Sequence, residues 1–458
     1  MRMIAAPFAL LLAVQPLAAQ TIPASPAEIT MSFAPVVKAT TPSVVNIYTQ
    51  RVVSQRETPF GIDPFFADIF RNFGREVPRV QSSLGSGVIL TADGIIVSNF
   101  HVVKEASQIR VVLTDRREFD AEVLLADEET DLAVLRLKGA SGLPALALRD
   151  SDEVEVGELV LAIGNPFGVG QTVSSGIVSG LARSNLGIGG GRGYFIQTDA
   201  PINPGNSGGA LVDVAGRIIG INTAILSPSG ASSGIGFAIP ANLVHAVVTQ
   251  AEAGRTKFER PWAGIAGQAV DAGMAESFGQ RAPQGLAILD FAPGSPFAEA
   301  GLSRGDVILQ LDGVPVNTPA EMIFRMSVRG VGAETEVTYL RQDRQETTRV
   351  RLIAPPDTPA RDVVTLTGGP FQGYTVANLN PAVTSEMALP DGLAGVVITD
   401  VGQETLGLGL RPGDILRNIN GTQIATTADL RAANAERASR WQIEYEREGR
   451  RALLRFRS

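Results

Sequence analysis

Cysteine is absent from the 458 residues, and histidine occurs only twice, as His101 and His245. The first absence excludes disulfides, a thiol nucleophile and thiolate metal sites, and two histidines are too few for a zinc cluster. Basic residues are outnumbered, 39 against 47 acidic, for a formal charge of -8. Such a balance argues against sequence-independent nucleic-acid binding, which needs a basic surface to neutralise phosphates. The glycine run from Gly187 to Gly193 has neither the spacing of a dinucleotide loop nor the lysine of a P-loop, so no ATP site is visible. No metal and no cofactor are expected, and any catalysis must run on oxygen chemistry.

Long apolar runs are missing as well. The one at the N-terminus, Ala5 to Val14, is shorter than the roughly 20 residues that span a bilayer. It follows Met1-Arg2-Met3-Ile4 and precedes Pro16-Leu17-Ala18-Ala19, which is the pattern of a signal peptide, residues 1–19, cleaved after Ala19. The chain is therefore expected to be exported.

What is abundant is glycine, 49 residues, and short runs of Val, Ile and Leu between turn residues. From Phe33 to Ile239 that spacing predicts an all-β barrel or sandwich. The spacing after Pro240 predicts a helix over 241–252, ended by Gly254. Further on the chain repeats itself. Gly301-Leu302-Ser303-Arg304-Gly305-Asp306-Val307-Ile308 matches Gly409-Leu410-Arg411-Pro412-Gly413-Asp414-Ile415-Leu416 at an offset of 108. The expected organisation is a first domain over 28–255, one copy of the repeat over 259–354, a Pro-rich linker over 355–365 and a second copy over 366–458.

Gly205-Asn206-Ser207-Gly208-Gly209 sets a serine among glycines. A serine hydroxyl is a poor nucleophile at neutral pH and needs a base to take its proton. His101 is the candidate base. Asp131 is the candidate acid that would accept from the other ring nitrogen and hold the tautomer, with Asp199 as a rival. His, Asp, Ser is the chain order of the chymotrypsin triad, not of subtilisin or the α/β-hydrolases. The backbone of Gly205, Asn206 and Ser207 would form the oxyanion hole, with the N–H groups of Gly205 and Ser207 as its donors. His245 reads as a surface or packing residue.

Together Ser98-Asn99-Phe100-His101-Val102-Val103, Thr130-Asp131-Leu132-Ala133-Val134-Leu135 and Asn203-Pro204-Gly205-Asn206-Ser207-Gly208-Gly209 resemble the HtrA (Deg) family of serine endoproteases. The resemblance implies a mainly β protein, a chymotrypsin-like double β-barrel followed by two PDZ domains. It implies a periplasmic enzyme that degrades unfolded chains, binds peptide C-termini and assembles as a homotrimer or larger, with Phe33 in the contact. It also gives Arg51 to Gln81 as a long projecting loop and Ala182 to Tyr194 as a sensor loop with Arg183 as its signalling residue. Thr198 to Asn206 and Leu226 to Gly234 resemble activation loops. Trp262-Ala263-Gly264-Ile265 has the form of a PDZ carboxylate-binding loop, and Phe371-Gln372-Gly373-Tyr374 repeats it with a polar Gln372 in place of an apolar residue.

The specificity pocket is expected around Pro201, Ile202, Thr223, Ala224 and Ile225. Pro201, six residues before Ser207, lies where an acid would select lysine or arginine; proline beside Ile202 favours small or medium apolar side chains. Two other readings compete: a latent or non-proteolytic chaperone and peptide-binding scaffold, and a lipase or esterase, which the triad order disfavours.

Overall fold

In the structure, a computed structural model, residues 32–57, 75–165, 171–184, 193–203, 205–225, 234–390, 392–402, 405, 407–436 and 438–457 are described, with the backbone alone for 51–57, 75–83 and 224–225. The expected signal peptide lies outside the described residues, as do 58–74, 185–192, 204 and 226–233, which include parts of the four expected regulatory loops.

Twelve strands form two closed barrels of six. The first contains β1 Val44–Glu57, β2 Arg75–Ile89, β3 Ile95–Ser98, β4 Gln108–Val112, β5 Glu118–Asp127 and β6 Leu132–Leu137, in the order β1-β2-β3-β6-β5-β4. The second contains β7 Leu159–Gly164, β8 Thr172–Arg183, β9 Phe195–Thr198, β10 Ala210–Asp213, β11 Ile218–Ile225 and β12 Gly236–Pro240, in the order β10-β11-β12-β9-β8-β7. Closure removes the sheet edges that an open sheet would leave exposed. The uninterrupted apolar runs mark strands buried on both faces, as in β3 and β12, where every residue is buried. The span expected to project as a loop from Arg51 to Gln81 differs at its base. There β1 and β2 pair without a break out to Glu57 opposite Arg75, a ladder that carries the hairpin beyond the barrel.

Each barrel has its own interior, and a third apolar cluster joins them. Val88, Val97 and Val134 of the first barrel meet Leu161, Ile163, Val212 and Ile221 of the second in that shared core. The helix Ala241–Glu252 seals it with Leu243, Val244, Val247, Val248 and Ala251, all buried and spaced by three or four residues. Its end at Gly254 has the positive φ of +82° that a glycine C-cap supplies. His245 lies on the exposed side of this helix.

Two sheets follow, built alike. One has β13 Ile265–Ala269, β14 Leu286–Phe291, β15 Val307–Leu311, β16 Val314–Pro315, β17 Glu334–Arg341 and β18 Arg344–Arg351, along the path β13-β14-β15-β17-β18. The other has β19 Val364–Thr365, β20 Tyr374–Asn378, β21 Val396–Val401, β22 Ile415–Ile419, β23 Thr422–Gln423, β24 Trp441–Arg447 and β25 Arg450–Phe456, along β19-β20-β21-β22-β24-β25. The repeat extends to side chains. Arg341 clamps Asp306 at 2.9 and 2.6 Å and the Gly301 carbonyl at 2.8 Å, while Arg447 clamps Asp414 at 2.7 and 2.7 Å and the Gly409 carbonyl at 2.9 Å. In each copy a nearly buried carboxylate is thereby paired by a two-pronged guanidinium, the geometry that compensates burial of charge.

The first of these sheets is docked on the barrels. Its helix Pro319–Arg329 lies against Ala241–Glu252, and Phe324 stacks on Tyr194 with ring centroids 4.0 Å apart. Arg325 pairs with Asp152 across the same contact.

Candidate active site

The barrel seam brings His101, Asp131 and Ser207 together, although 30 and 76 residues separate them along the chain. His101 sits in the one-turn helix Phe100–Val103 that follows β3, and Asp131 ends the turn leading into β6, the strand beside β3. That turn is pinned from outside: Phe100 N–H and Asn99 Nδ2 both donate to the Asp131 carbonyl, at 3.0 and 2.9 Å. Asp131 has φ +55°, a left-handed backbone that an aspartate tolerates better than most residues.

The Asp131 carboxylate accepts four contacts from three groups. His101 Nδ1 lies 2.9 and 2.8 Å from its two oxygens, His101 N–H donates to Oδ1 at 3.0 Å, and Thr223 Oγ1 donates to Oδ2 at 2.5 Å. An ionised carboxylate is acceptor-only, so the proton of a neutral His101 is held on Nδ1 and the lone pair lies on Nε2, as a candidate base requires. Asp131 is mostly covered while His101 is half exposed, their side chains being 14% and 48% accessible. The rival acid Asp199 is elsewhere: its carboxylate accepts from Ile177 N–H at 2.7 Å on β8.

Thr223 links both ends of the constellation. Its hydroxyl binds Asp131, and its carbonyl accepts from Ser207 Oγ at 3.2 Å. The structure thus gives Thr223, expected among the pocket residues, a buried position with its side chain committed to the acid. Replacing Thr223 with Val is expected to lower kcat roughly tenfold and to destabilise the fold by about 1 kcal/mol, the worth of one such hydrogen bond, whereas Ser at this position should preserve both. Steady-state kinetics and thermal melts of the two variants read this out.

The loop that carries Ser207 is fastened to the first barrel by Ser86 of β2. Ser86 N–H donates to the Ser207 carbonyl at 3.0 Å and Ser86 Oγ donates to the Gly205 carbonyl at 2.6 Å, while Asn165 N–H donates to Ser86 Oγ at 2.9 Å. Among the described residues the N–H groups of Gly205 and Ser207 meet no acceptor, whereas that of Asn206 is taken by the Asn203 carbonyl at 2.9 Å. Within this loop the amides of Gly205 and Ser207, and not that of Asn206, are therefore the candidate donors to an oxyanion. Gly208 and Gly209 are demanded by space: a Cβ at Gly208 would lie 2.1 Å from the Ser86 carbonyl oxygen, and one at Gly209 would lie 2.1 Å from that of Ile163.

Sequence reading missed Ser86 and its partner Ser98, whose Oγ donates to the Ser86 carbonyl at 2.7 Å. The signal was Gly85-Ser86-Gly87, small residues inside a strand, which mark a close backbone approach. Of the expected pocket residues, Pro201 is exposed and its carbonyl accepts from Ser174 Oγ at 2.6 Å, while Ile202 turns inward, 2% accessible, into the core of the second barrel. Ala224 and Ile225 lie on β11 opposite Phe237 and Gly236. Arg183 is exposed at the end of β8 and donates to Gln197 Oε1 at 2.9 Å. Phe33 packs partly buried against the shared core.

In the first PDZ-type sheet, Trp262 N–H donates to the Ile353 carbonyl at 2.8 Å, Ala263 O accepts from Ser295 Oγ at 2.7 Å, and Gly264 has φ +61°. The N–H groups of Ala263 and Gly264 meet no acceptor among the described residues. They open on a groove of about 120 Å³ between β13 and the helix Pro319–Arg329, lined by Ile265, Met322, Ile323 and Met326. The second loop differs. Phe371 and Tyr374 are buried, and the N–H groups of Phe371, Gln372, Gly373 and Tyr374 donate to Asn434 Oδ1, Gly369 O, Leu366 O and Phe371 O at 3.1, 3.4, 2.9 and 3.0 Å.

Residues 85–221 match the model of a trypsin-like peptidase domain and residues 264–352 that of a PDZ domain. The chain is 37% identical to the periplasmic pH-dependent serine endoprotease DegQ of Escherichia coli K12, over 87% of this chain and 86% of that one. It is 36% identical to the periplasmic serine endoprotease DegP of the same organism, over 92% and 91% of the two chains. Among solved structures, the HtrA-type protease AlgW with a decapeptide is similar over 71% of this chain and 99% of its own, at 39% identity and a TM-score of 0.53.

Proposed function

The chain belongs to the HtrA family of serine endoproteases, and from that membership we propose that it cleaves unfolded polypeptides in the periplasm with Ser207 as nucleophile, His101 as base and Asp131 as the acid that orients it. The carrying observation is the chain of contacts from His101 Nδ1 to Asp131 to Thr223 to Ser207 Oγ. In this arrangement the Ser207 hydroxyl rests on the Thr223 carbonyl. For attack it rotates to His101 Nε2, which takes its proton as Oγ bonds to the scissile carbonyl carbon. The carbonyl oxygen, now an oxyanion, is held by the N–H groups of Gly205 and Ser207. His101 then gives its proton to the leaving amine, and a water, deprotonated by the same nitrogen, releases the acyl group from Ser207. No cofactor enters these steps.

Pro201 in place of an acid supports cleavage after small or medium apolar residues, which folded proteins bury and unfolded ones expose. Peptide substrates with valine or alanine at the cleaved position are expected to exceed the arginine analogue by about 100-fold in kcat/KM; an arginine preference would remove the argument from Pro201.

Regulation by peptide C-termini is supported by the unpaired amides of Ala263 and Gly264 and by what adjoins them. Arg260, two residues before Trp262, binds Asp127 at 3.1 and 2.5 Å, and Asp127 accepts from Thr130 N–H and Oγ1 at 2.8 and 2.6 Å, one residue from Asp131. A carboxylate seated on the loop acts on the catalytic turn through these contacts. The proteolytic reading is tested on casein: the wild type digests it and Ser207→Ala does not. Equal inactivity of both, with suppression of client aggregation, would favour the scaffold reading instead.

A further inference from the structure

The two PDZ-type sheets differ at one edge. In the first, β13 is the outer strand, and its burial falls along its length so that only Ile265 and Gly267 are even partly covered. In the second, the corresponding strand β20 is interior: β19 pairs with it antiparallel, Val364 opposite Val376 and Thr365 opposite Thr375. The pairing continues beyond β19 in both directions. Asn378 N–H donates to the Arg361 carbonyl at 2.7 Å, Leu366 N–H donates to the Tyr374 carbonyl at 2.9 Å, and Gly373 N–H donates to the Leu366 carbonyl at 2.9 Å.

Residues 361–366 therefore run along β20 toward the loop 371–374, with Leu366 at its mouth. The side chain of Leu366 is 3% accessible and packs in the cluster of Phe371, Leu430 and Ala433, whereas Val363 is 55% accessible. On the opposite wall the helix Thr427–Ala435 holds the same segment: Asp362 accepts from Thr427 Oγ1, and from Arg431 Nη2 at 2.7 Å. The segment expected as a linker is thus tied down, and Arg361 itself bridges Asp357 and Glu386.

A peptide that joins a PDZ sheet does so as an added strand beside the carboxylate loop, its backbone bonding the edge strand and alternate side chains filling pockets. We propose that Arg361–Leu366 is an internal ligand of the second domain. It fills in cis the groove between β20 and Thr427–Ala435, with Leu366 in the seat of an apolar C-terminal residue and its carbonyl in that of a carboxylate oxygen. This inference rests on reading both sheets as peptide-binding modules. It assigns reception of outside C-termini to the first domain and closes the second to them. It also names the class of chain that would compete for the second groove: an extended segment ending in a leucine-like residue, with an acid four positions earlier facing Arg431. A segment of about 10–100 μM intrinsic affinity, tethered at an effective concentration of millimolar order, weakens an outside peptide by roughly 10- to 100-fold.

The test uses the full chain carrying Ser207→Ala, so that the probe is not digested, and Gly264→Val, which places a side chain where a Cβ would meet the Trp262 ring at 2.6 Å in the first loop. The probe is fluorescein-labelled Asp-Val-Val-Thr-Leu with a free carboxylate, followed by anisotropy. Adding Asp362→Ala, an exposed change, or Leu366→Asp, a stronger one, is expected to tighten binding at least tenfold over the parent. Thermal melts check that each variant folds, and Asp362→Ala carries the result if Leu366→Asp does not. Equal affinity in parent and released variants would overturn the proposal, as would absence of binding in all of them. Titration of Ser207→Ala with Gly264 intact reads the first groove separately. If the first groove fails to bind while the released variants gain a site, the reading of peptide control falls and the internal ligand stands.

Discussion

Replacing Asp131 with Asn is expected to lower kcat about 10⁴-fold while the protein stays folded. The reason lies in what the carboxylate receives. His101 Nδ1, His101 N–H and Thr223 Oγ1 all point hydrogens at it. An asparagine amide offers one acceptor oxygen and one NH₂ group, so at least one of these donors would face another donor. The imidazole relieves the conflict by moving its proton to Nε2 and accepting on Nδ1, and that tautomer cannot take the proton of Ser207. Because the change is isosteric and the Asp131 carbonyl keeps its bonds to Phe100 and Asn99, the melting temperature should shift little. Kinetics on a peptide substrate give the first quantity, and ¹⁵N shifts of the His101 ring give the tautomer. A loss below tenfold would mean that Asp131 does not orient the base.

Gly208→Ala is the second large effect, expected to abolish activity and to cost about 3 kcal/mol or more in stability. A Cβ at this position would lie 2.1 Å from the Ser86 carbonyl oxygen and 2.5 Å from Ser98 Oγ; the Ser86 backbone is held across the barrels by its bond to the Ser207 carbonyl, and Ser98 Oγ is bonded to that same Ser86 carbonyl. The backbone there also has φ +81°, a left-handed geometry that costs an alanine about 1–2 kcal/mol by itself. Gly139→Ala separates the two causes. Its φ is +73° with nothing within 4 Å of a Cβ, so only the conformational cost remains and activity should survive. Denaturant melts and casein digestion of both variants decide whether close approach to Ser86, rather than backbone strain, makes Gly208 irreplaceable.

Much of the site was legible in the sequence because its parts are local motifs. Glycines around Ser207, the single histidine ahead of Asp131 in an apolar strand context, and the order of the three residues carried the chemistry without the fold. The helix Ala241–Glu252 was equally plain, since its apolar spacing, the preceding proline and the terminal glycine agree. What stayed hidden depends on contacts between distant segments. Ser86 is 121 residues from Ser207 in sequence, and nothing in Gly85-Ser86-Gly87 says which backbone it will meet. Thr223 sits in an ordinary strand until the barrels close and set its hydroxyl against Asp131. The Pro-rich composition after Ala354 marked a linker over 355–365, yet its last residues pair with β20, because strand addition is decided by an available edge more than by residue preference.

The two grooves show the same lesson in function. Trp262-Ala263-Gly264-Ile265 and Phe371-Gln372-Gly373-Tyr374 look alike as strings, and the structure separates them by their amides: among the described residues two meet no acceptor in the first loop, and four are occupied in the second. Residues at equivalent positions in the repeat therefore do not keep equivalent backbone partners here.

Ser207 as nucleophile, activated by His101, implies a serine that reacts with an electrophilic phosphorus reagent. Reaction with diisopropyl fluorophosphate, followed by intact mass and peptide mapping, tests it most directly, because only an activated serine is phosphorylated. One adduct per chain, on Ser207, is expected in the wild type and none in His101→Ala. An adduct on another residue, or none on a protein that still digests casein, would contradict it.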